Sequence, residues 1–357
     1  MALTCGIIGL PLVGKTTLFN LLTQGEEETS SYAGRTKTSV RVAKIPDKRL
    51  DLLAEIYLPR KAIPAMLEVT DLPGLNRGSG AAFLNAVREV DALIHVVRAF
   101  RNDNIPHIDG DINPLRDLEN VNAELFLADL QMVETRLERI AASKKIKGET
   151  LVEQDALKRC QEVLNEEKPL LEAGLSDDEW QAVRSLGFLT TKPMILVINM
   201  DEDQLRDGHY EGEEGVRLYG EGKGFPVLPI CLELEAEIAQ LDPGERELFL
   251  TEMGISEPGV ERVAKTIYKH LGLISFLTVG RDEVKAWTIK KGTAARVAAG
   301  KVHTDIERGF IRAEVVKYED MEKYRDMTKI KEKGLARLEG KDYIVQDGDI
   351  IEFRFNI

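Results

Sequence analysis

Cysteine is scarce in this 357-residue chain: three residues, Cys5, Cys160 and Cys231, stand far apart. That spacing excludes a disulfide scaffold and a zinc ribbon, which need grouped thiols. Long hydrophobic runs are also missing, and none approaches the ~20 apolar residues that cross a bilayer. Met1 to Gly9 carries neither the basic start nor the small-residue cleavage site of a secretory leader. The default expectation is a cytoplasmic location with no membrane partner. An excess of positive charge is absent too. Against 48 Lys and Arg stand 61 Asp and Glu, a net charge of −13, which argues against wrapping bare DNA. The charge is unevenly spread: residues 274–357 hold 17 basic and 15 acidic side chains, a net of +2, leaving −15 for the rest. The C-terminal segment is the part least repelled by a polyanion.

What is there is the composition of a globular protein, 43% hydrophobic and 31% charged, long enough for two or three domains. Leu3 to Ile8 is a short apolar run that stops at Gly9, and Leu18, Leu21 and Leu22 then share one helical face. The runs at Ala65 to Val69, Ala92 to Val97, Met194 to Ile198 and Val227 to Ile230 read as further strands. Apolar strands alternating with helices indicate a mostly parallel α/β sheet covered on both faces. From Asn113 to about Ser185 the alternation stops. Leu118, Val121, Leu125, Ala128 and Met132 follow helical spacing, as do Val133, Leu137 and Ile140, and a polar break precedes a second helix from Leu151 to Leu164. The spacing predicts an inserted helical hairpin packed on itself rather than an inter-chain seam. After Leu271, runs at Glu283 to Ile289, Phe310 to Val316, Tyr343 to Val345 and Ile350 to Phe355 predict a small mixed sheet with one helix. The expected organisation is residues 1–112 with 188–273 as an α/β nucleotide-binding domain, 113–187 as the helical insertion, and 274–357 as a C-terminal domain.

Three motifs carry chemistry. Gly9 to Thr16 matches G-x-x-x-x-G-K-[ST], leaving a strand and opening a helix. Its glycines let backbone N–H groups turn toward phosphate oxygens, and the helix N-terminus adds a favourable dipole. Lys15 is expected to reach the β- and γ-phosphates, and the Thr16 hydroxyl to ligate Mg²⁺. Asp71-Leu72-Pro73-Gly74 ends the next strand. Asp71 there can hold Mg²⁺ through its water shell, and Gly74 can offer an N–H to a γ-phosphate. Leu75 follows where Ras-like switches carry a water-orienting Gln, so another group orients water or hydrolysis is slow. Asn199-Met200-Asp201-Glu202 stands where GTPases carry N-K-x-D. With Glu202 in place of the Asp that grips guanine, and Met200 in place of Lys, the fork for guanine loses its purpose. ATP is expected to bind at least as well as GTP.

Together these residues resemble the YchF/Obg-like ATPase family, with its P-loop of the form G-x-P-N-V-G-K-[ST], its N-x-x-E base motif, a helical insertion and a C-terminal TGS domain. The runs Arg88 to Arg98, Lys285 to Thr293, His303 to Glu314 and Glu339 to Asp349 are similar to the family's signatures. The resemblance implies a Ras-like P-loop NTPase with a β-grasp, TGS-like C-terminal domain, and a Mg²⁺-dependent hydrolase of ATP that also accepts GTP. It further implies a link to ribosomes and stress responses, with a ribosomal or RNA-containing partner met through the TGS and helical domains. Carried over by position, Leu12, Val13, Gly14, Lys15, Thr16 and Thr17 line the phosphates. Thr36 supplies a second Mg²⁺ ligand beside Thr16 and Asp71, and Asn199, Met200, Glu202, Cys231 and Leu232 form the base site. His107 falls where the family has a His near the active site, which implies a group that positions water in place of the switch Gln. Leu12 replaces the family's loop Asn, and the stretch Leu75 to Phe83 is shorter than the family's second switch, which marks a divergent member. Two other readings remain: a non-hydrolysing nucleotide-binding adaptor, and a P-loop kinase of a small metabolite, for which no acceptor pocket or lid is found. His95 reads as a satisfied core histidine, Cys5 as buried and inert, and Trp287 as packing.

Overall fold

The computed structural model describes residues 3–23, 39–75, 80–143 and 148–356. The chain divides into two compact units, residues 1–41 with 68–263, and residues 42–67 with 264–357. Two six-stranded sheets run through it. The first has the order β2-β4-β1-β5-β6-β7, formed by β1 (Thr4–Ile8), β2 (Val40–Ile45), β4 (Ala65–Asp71), β5 (Ala92–Arg98), β6 (Met194–Asn199) and β7 (Val227–Ile230). β1 pairs with β4 and β5, β5 with β6 and β6 with β7, all in parallel. Every residue of β5 and β6 is buried, as expected for central parallel strands that are covered on both faces. The strand order reverses at β1, and the crevice beyond the carboxyl ends of the strands at such a point is where α/β sheets bind ligands.

The expected insertion is present. Asn113 caps the helix Pro114–Ala141 by accepting from the Arg116 N–H, and Pro114 sits in the first turn, where its missing N–H is harmless. The helix Gly148–Asn165 packs against it within the same chain, around Val133, Ile140, Ala156, Leu157, Cys160 and Leu164. The Arg136 guanidinium donates to both oxygens of Glu153 across this pair, at 2.7 and 3.0 Å.

The second sheet has the order β11-β10-β12-β8-β9-β3. It is formed by β3 (Lys61–Ile63), β8 (Leu273–Val279), β9 (Glu283–Lys290), β10 (Phe310–Val316), β11 (Arg337–Glu339) and β12 (Ile350–Phe355). Its mixed character and the extents of β10 and β12 follow the sequence pattern. Residues 343–345 form no strand, only an isolated bridge at Ile344. Four short helices, Ala295–Val302, Thr304–Arg308, Tyr318–Tyr324 and Met327–Glu332, stand where the pattern predicted one. Each is five to eight residues long, too short for a clear helical period. Trp287 packs parallel to Phe276, with centroids 6.3 Å apart, and its Nε1–H donates to Thr278 Oγ1 at 2.9 Å. Among the described residues no helix is long and apolar enough to cross a membrane.

Candidate functional site

The loop Gly9–Thr16 connects β1 to the helix Lys15–Leu22 at the point where the strand order reverses. Two of its glycines are required by geometry. Gly9 has φ +143°, and a Cβ there would lie 2.3 Å from the Val96 carbonyl oxygen. Gly14 has φ +104°, and a Cβ would lie 2.7 Å from Asn199 Nδ2 and 2.9 Å from Leu232 Cδ1. Leu12 holds the same left-handed region at φ +60° with its side chain 58% exposed. Val13 is buried, and Thr17 is exposed.

Lys15 Nζ turns inward and donates to the carbonyls of Gly9, at 3.2 Å, and Leu10, at 2.6 Å. Burial pushes its ammonium down to about 8, against the opposing pull of Asp71. Gly74 comes close enough that a Cβ would stand 3.0 Å from Lys15 Nζ. The Thr16 hydroxyl donates to Asp71 Oδ2 at 2.7 Å, while Asp71 Oδ1 is buried with no hydrogen-bond partner among the described residues. Leu75 N–H donates to the Gly9 carbonyl at 3.3 Å, so the start of the segment after Gly74 is pinned to the loop. Lys15, Thr16, Asp71 and Gly74 thus converge at one place. Thr36 lies outside the described residues.

The second group forms around Asn199 at the end of β6. Its Nδ2 donates to the Val13 carbonyl at 3.0 Å, and its Oδ1 accepts from the Leu232 N–H at 3.1 Å. One buried amide therefore ties the phosphate loop to the turn after β7. Met200, Cys231 and Leu232 are buried beside it. Cys231 Sγ accepts from the Leu234 N–H and so caps the helix Leu232–Ile238. Burial is the main cause that raises the Cys231 thiol, with the Glu202 carboxylate among the smaller ones. Glu202 itself is exposed, at the first position of the helix Glu202–Asp207. Asp201, passed over in the sequence motif, holds this turn. It caps that helix through the Gln204 N–H at 2.9 Å and accepts from the Arg101 N–H at 3.1 Å. Aspartate one residue before a helix was the available signal.

His107 is drawn into a different contact. Its ring is buried, Nδ1 accepts from the Asp109 N–H at 3.2 Å, and Nε2 lies 2.8 Å from Asp117 Oδ2. With Nδ1 accepting, the proton belongs on Nε2, which donates to the carboxylate. Among the described residues no hydrogen bond joins His107 to the phosphate loop. His95 is buried as expected but not satisfied: its Nδ1 has no partner among the described residues. Burial and the neighbouring Lys15 charge push it down to about 3, so the ring is neutral at physiological pH. Cys5 is buried in β1, and burial raises its thiol.

Comparison with known proteins agrees with this architecture. Residues 4–133 match a family described as a 50S ribosome-binding GTPase. Residues 273–356 match the family of YchF-type GTPase C-terminal regions, described as a protein of unknown function. The chain is 43% identical over 366 residues to the ribosome-binding ATPase YchF of Bacillus subtilis, covering all of both chains. It is also 43% identical over 367 residues to the ribosome-binding ATPase YchF of Escherichia coli O157:H7, again over the full length of both. The solved YchF GTPase of Schizosaccharomyces pombe superposes with a TM-score of 0.86 at 30% identity, covering 99% of this chain and 97% of that one. Full-length identity at this level, together with the shared fold, establishes that the chain belongs to the YchF family.

Proposed function

We propose that this protein is a Mg²⁺-dependent nucleoside-triphosphate hydrolase of the cytoplasm that takes ATP at least as readily as GTP, turns it over slowly, and acts as a ribosome-linked switch. The observation that carries the reading is the junction of Thr16 and Asp71 beneath Lys15 and Gly74. The Thr16 hydroxyl bonds one Asp71 oxygen, and the other is buried with no partner among the described residues. An unsatisfied buried carboxylate oxygen is costly, and a hydrated cation relieves it. Thr16 and Asp71 are therefore the described residues assigned to Mg²⁺, with Thr36 assigned by resemblance. Held there, such an ion would neutralise charge on phosphate oxygens. Leu12 to Thr17 and Gly74 are assigned to the phosphates.

Asn199, Met200, Glu202, Cys231 and Leu232 are assigned to the base. Asn199 already ties the phosphate loop to the 231–232 turn, so base and phosphate sites are held as one piece. Glu202, exposed at a helix start, has no Asp geometry for guanine to use, which favours ATP. The ribosome link rests on the names of the full-length relatives. The basic balance of residues 274–357 makes this TGS-like domain, together with the helical insertion, the natural contact for an RNA-containing partner. His107 enters as the group that positions water, with Asp117 fixing its ring. This role requires Nδ1 to exchange the Asp109 amide for water. His107→Ala should then slow turnover by about 10²-fold with little change in ATP affinity; equal turnover removes the residue from the site.

Isothermal titration with ATP and GTP, with and without Mg²⁺, tests the whole reading. The expected result is Mg²⁺-dependent binding with ATP at least as tight as GTP. A tenfold preference for GTP overturns the base assignment. Phosphate release from ATP without any acceptor separates the hydrolase from an adaptor or a kinase.

A further inference from the structure

We propose that Arg98 is a positioning residue for nucleotide turnover, a buried fork that holds the segment 99–107 in the one shape that presents His107. Arg98 ends β5 directly opposite Asn199 on β6 and is only 2% exposed. Its guanidinium spends its donors on three backbone carbonyls of the segment that follows. Nε donates to Phe100 at 3.2 Å, Nη2 to Asn102 at 3.2 Å, and Nη1 reaches Pro106 at 3.5 Å. The plane lies 4.2 Å over the Phe100 ring.

Among the described residues, no carboxylate is hydrogen-bonded to this buried charge. Burial lowers Arg98, and the charge of Asp117 opposes that lowering. Asp117 is also the carboxylate that accepts from the His107 Nε2–H, and Arg116 donates to its other oxygen at 3.0 Å. A buried cation is expensive, and an apolar side chain of similar size fills such a site at lower cost. What an apolar side chain cannot do is pin three carbonyls with one rigid plane.

The opposite side of the same segment is braced on the base loop. The Ala99 and Phe100 N–H groups both donate to the Asn199 carbonyl, at 2.8 and 2.9 Å, and Gln204 Nε2 donates to Ala99 at 3.0 Å. The segment is therefore stretched between the base loop and the His107–Asp117 pair, and Arg98 fills its inside. Asn199 keeps its own bonds to Val13 and Leu232 without help from Arg98. Loss of the fork consequently loosens the His107 end more than the base end.

This inference rests on the proposed nucleotide site and on His107, and the experiment separates their failures. Calorimetry on the parent protein first establishes ATP binding; its absence defeats the site itself, not the role of Arg98. Arg98→Met and Arg98→Lys are then compared with the parent for ATP affinity and for single-turnover hydrolysis, alone and combined with His107→Ala. The expected result is at least a tenfold fall in turnover with ATP affinity within threefold. Lysine, which keeps the charge and loses the fork, should not rescue, and neither variant should cause further loss once His107 is gone. Unchanged turnover, rescue by lysine, or an equal additional loss in the His107→Ala background overturns the proposal. If both Arg98 variants fail to fold, Phe100→Leu removes the ring under the guanidinium and leaves the buried charge in place. It should lower turnover about threefold with the same non-additivity, and the absence of any effect overturns the proposal.

Discussion

Leu12 holds a left-handed backbone in the phosphate loop with an exposed apolar side chain, where the family resemblance leads one to expect Asn. A β-carbon in that region clashes with the following carbonyl at a cost of ~1–2 kcal/mol, which Asn offsets in part through local hydrogen bonds. Leu12→Asn should therefore raise stability by about 1 kcal/mol in urea unfolding, and equal or lower stability rejects the strain argument. Lys15 has a pH signature of its own. Its folded value of about 8 lies below the ordinary 10.5. Between these values the unfolded chain keeps a proton that the folded chain has released, so stability from this group rises with pH across that window. In nucleotide-free protein, Lys15→Met should abolish that rise, measured as the difference in unfolding free energy between pH 8 and pH 10. Lys15→Ala should also weaken ATP binding at least tenfold, ~1.4 kcal/mol, by titration calorimetry, since charge-assisted contacts to phosphate are the strong class of hydrogen bond.

Among the elements, the helix Pro114–Ala141 shows what periodicity reveals and what it misses. Leu118, Val121, Leu125 and Ala128 follow the stripe and are buried. Asp117, Asn122 and Asp129 are buried on the same helix, which no hydrophobic pattern announces. Asp129 accepts from the Leu189 N–H at 3.0 Å, and its other oxygen accepts from the Thr190 N–H and hydroxyl at 2.9 and 2.8 Å. It thereby ties the insertion to the chain that leads into β6. Asp129→Ala leaves the buried Leu189 N–H and the half-buried Thr190 donors unpaired, which costs at least ~2 kcal/mol. Chemical denaturation measures this, and a loss below 0.5 kcal/mol, on the order of an ordinary surface change, would show that water replaces the carboxylate.

Across the whole molecule, charge is divided along the chain. The segment 274–357 carries +2 and the remainder −15. If ribosome association uses the basic segment, it releases counterions and weakens with salt. Co-sedimentation of the intact chain with ribosomes should fall at least tenfold between about 50 and about 300 mM salt. Salt-independent pelleting would move the contact to an apolar surface. The division into units is also a whole-molecule property. Lys61–Ile63 pairs in parallel with Glu283–Lys285, more than 200 residues later, so that residues 42–67 join the second unit.

The phosphate loop, the central strands and the helical insertion were legible in the residues because their causes are local. Glycine at fixed offsets, apolar runs of strand length and a 3.6-residue stripe act within about one element. The same local signals located Lys15, Thr16, Asp71, Gly74 and Asn199, the residues that the fold then draws together. What only the tertiary structure decided depends on groups far apart in sequence. The Asn199 amide meets Val13 across 186 residues. Asp117 accepts from the His107 ring, Arg98 turns inward to grip its own loop, and β3 leaves its neighbours for a distant edge. Each is a buried polar group or backbone edge whose partner is chosen by the need to satisfy a hydrogen bond in a closed core. That need arises only once the chain has folded, so the residues alone do not display it.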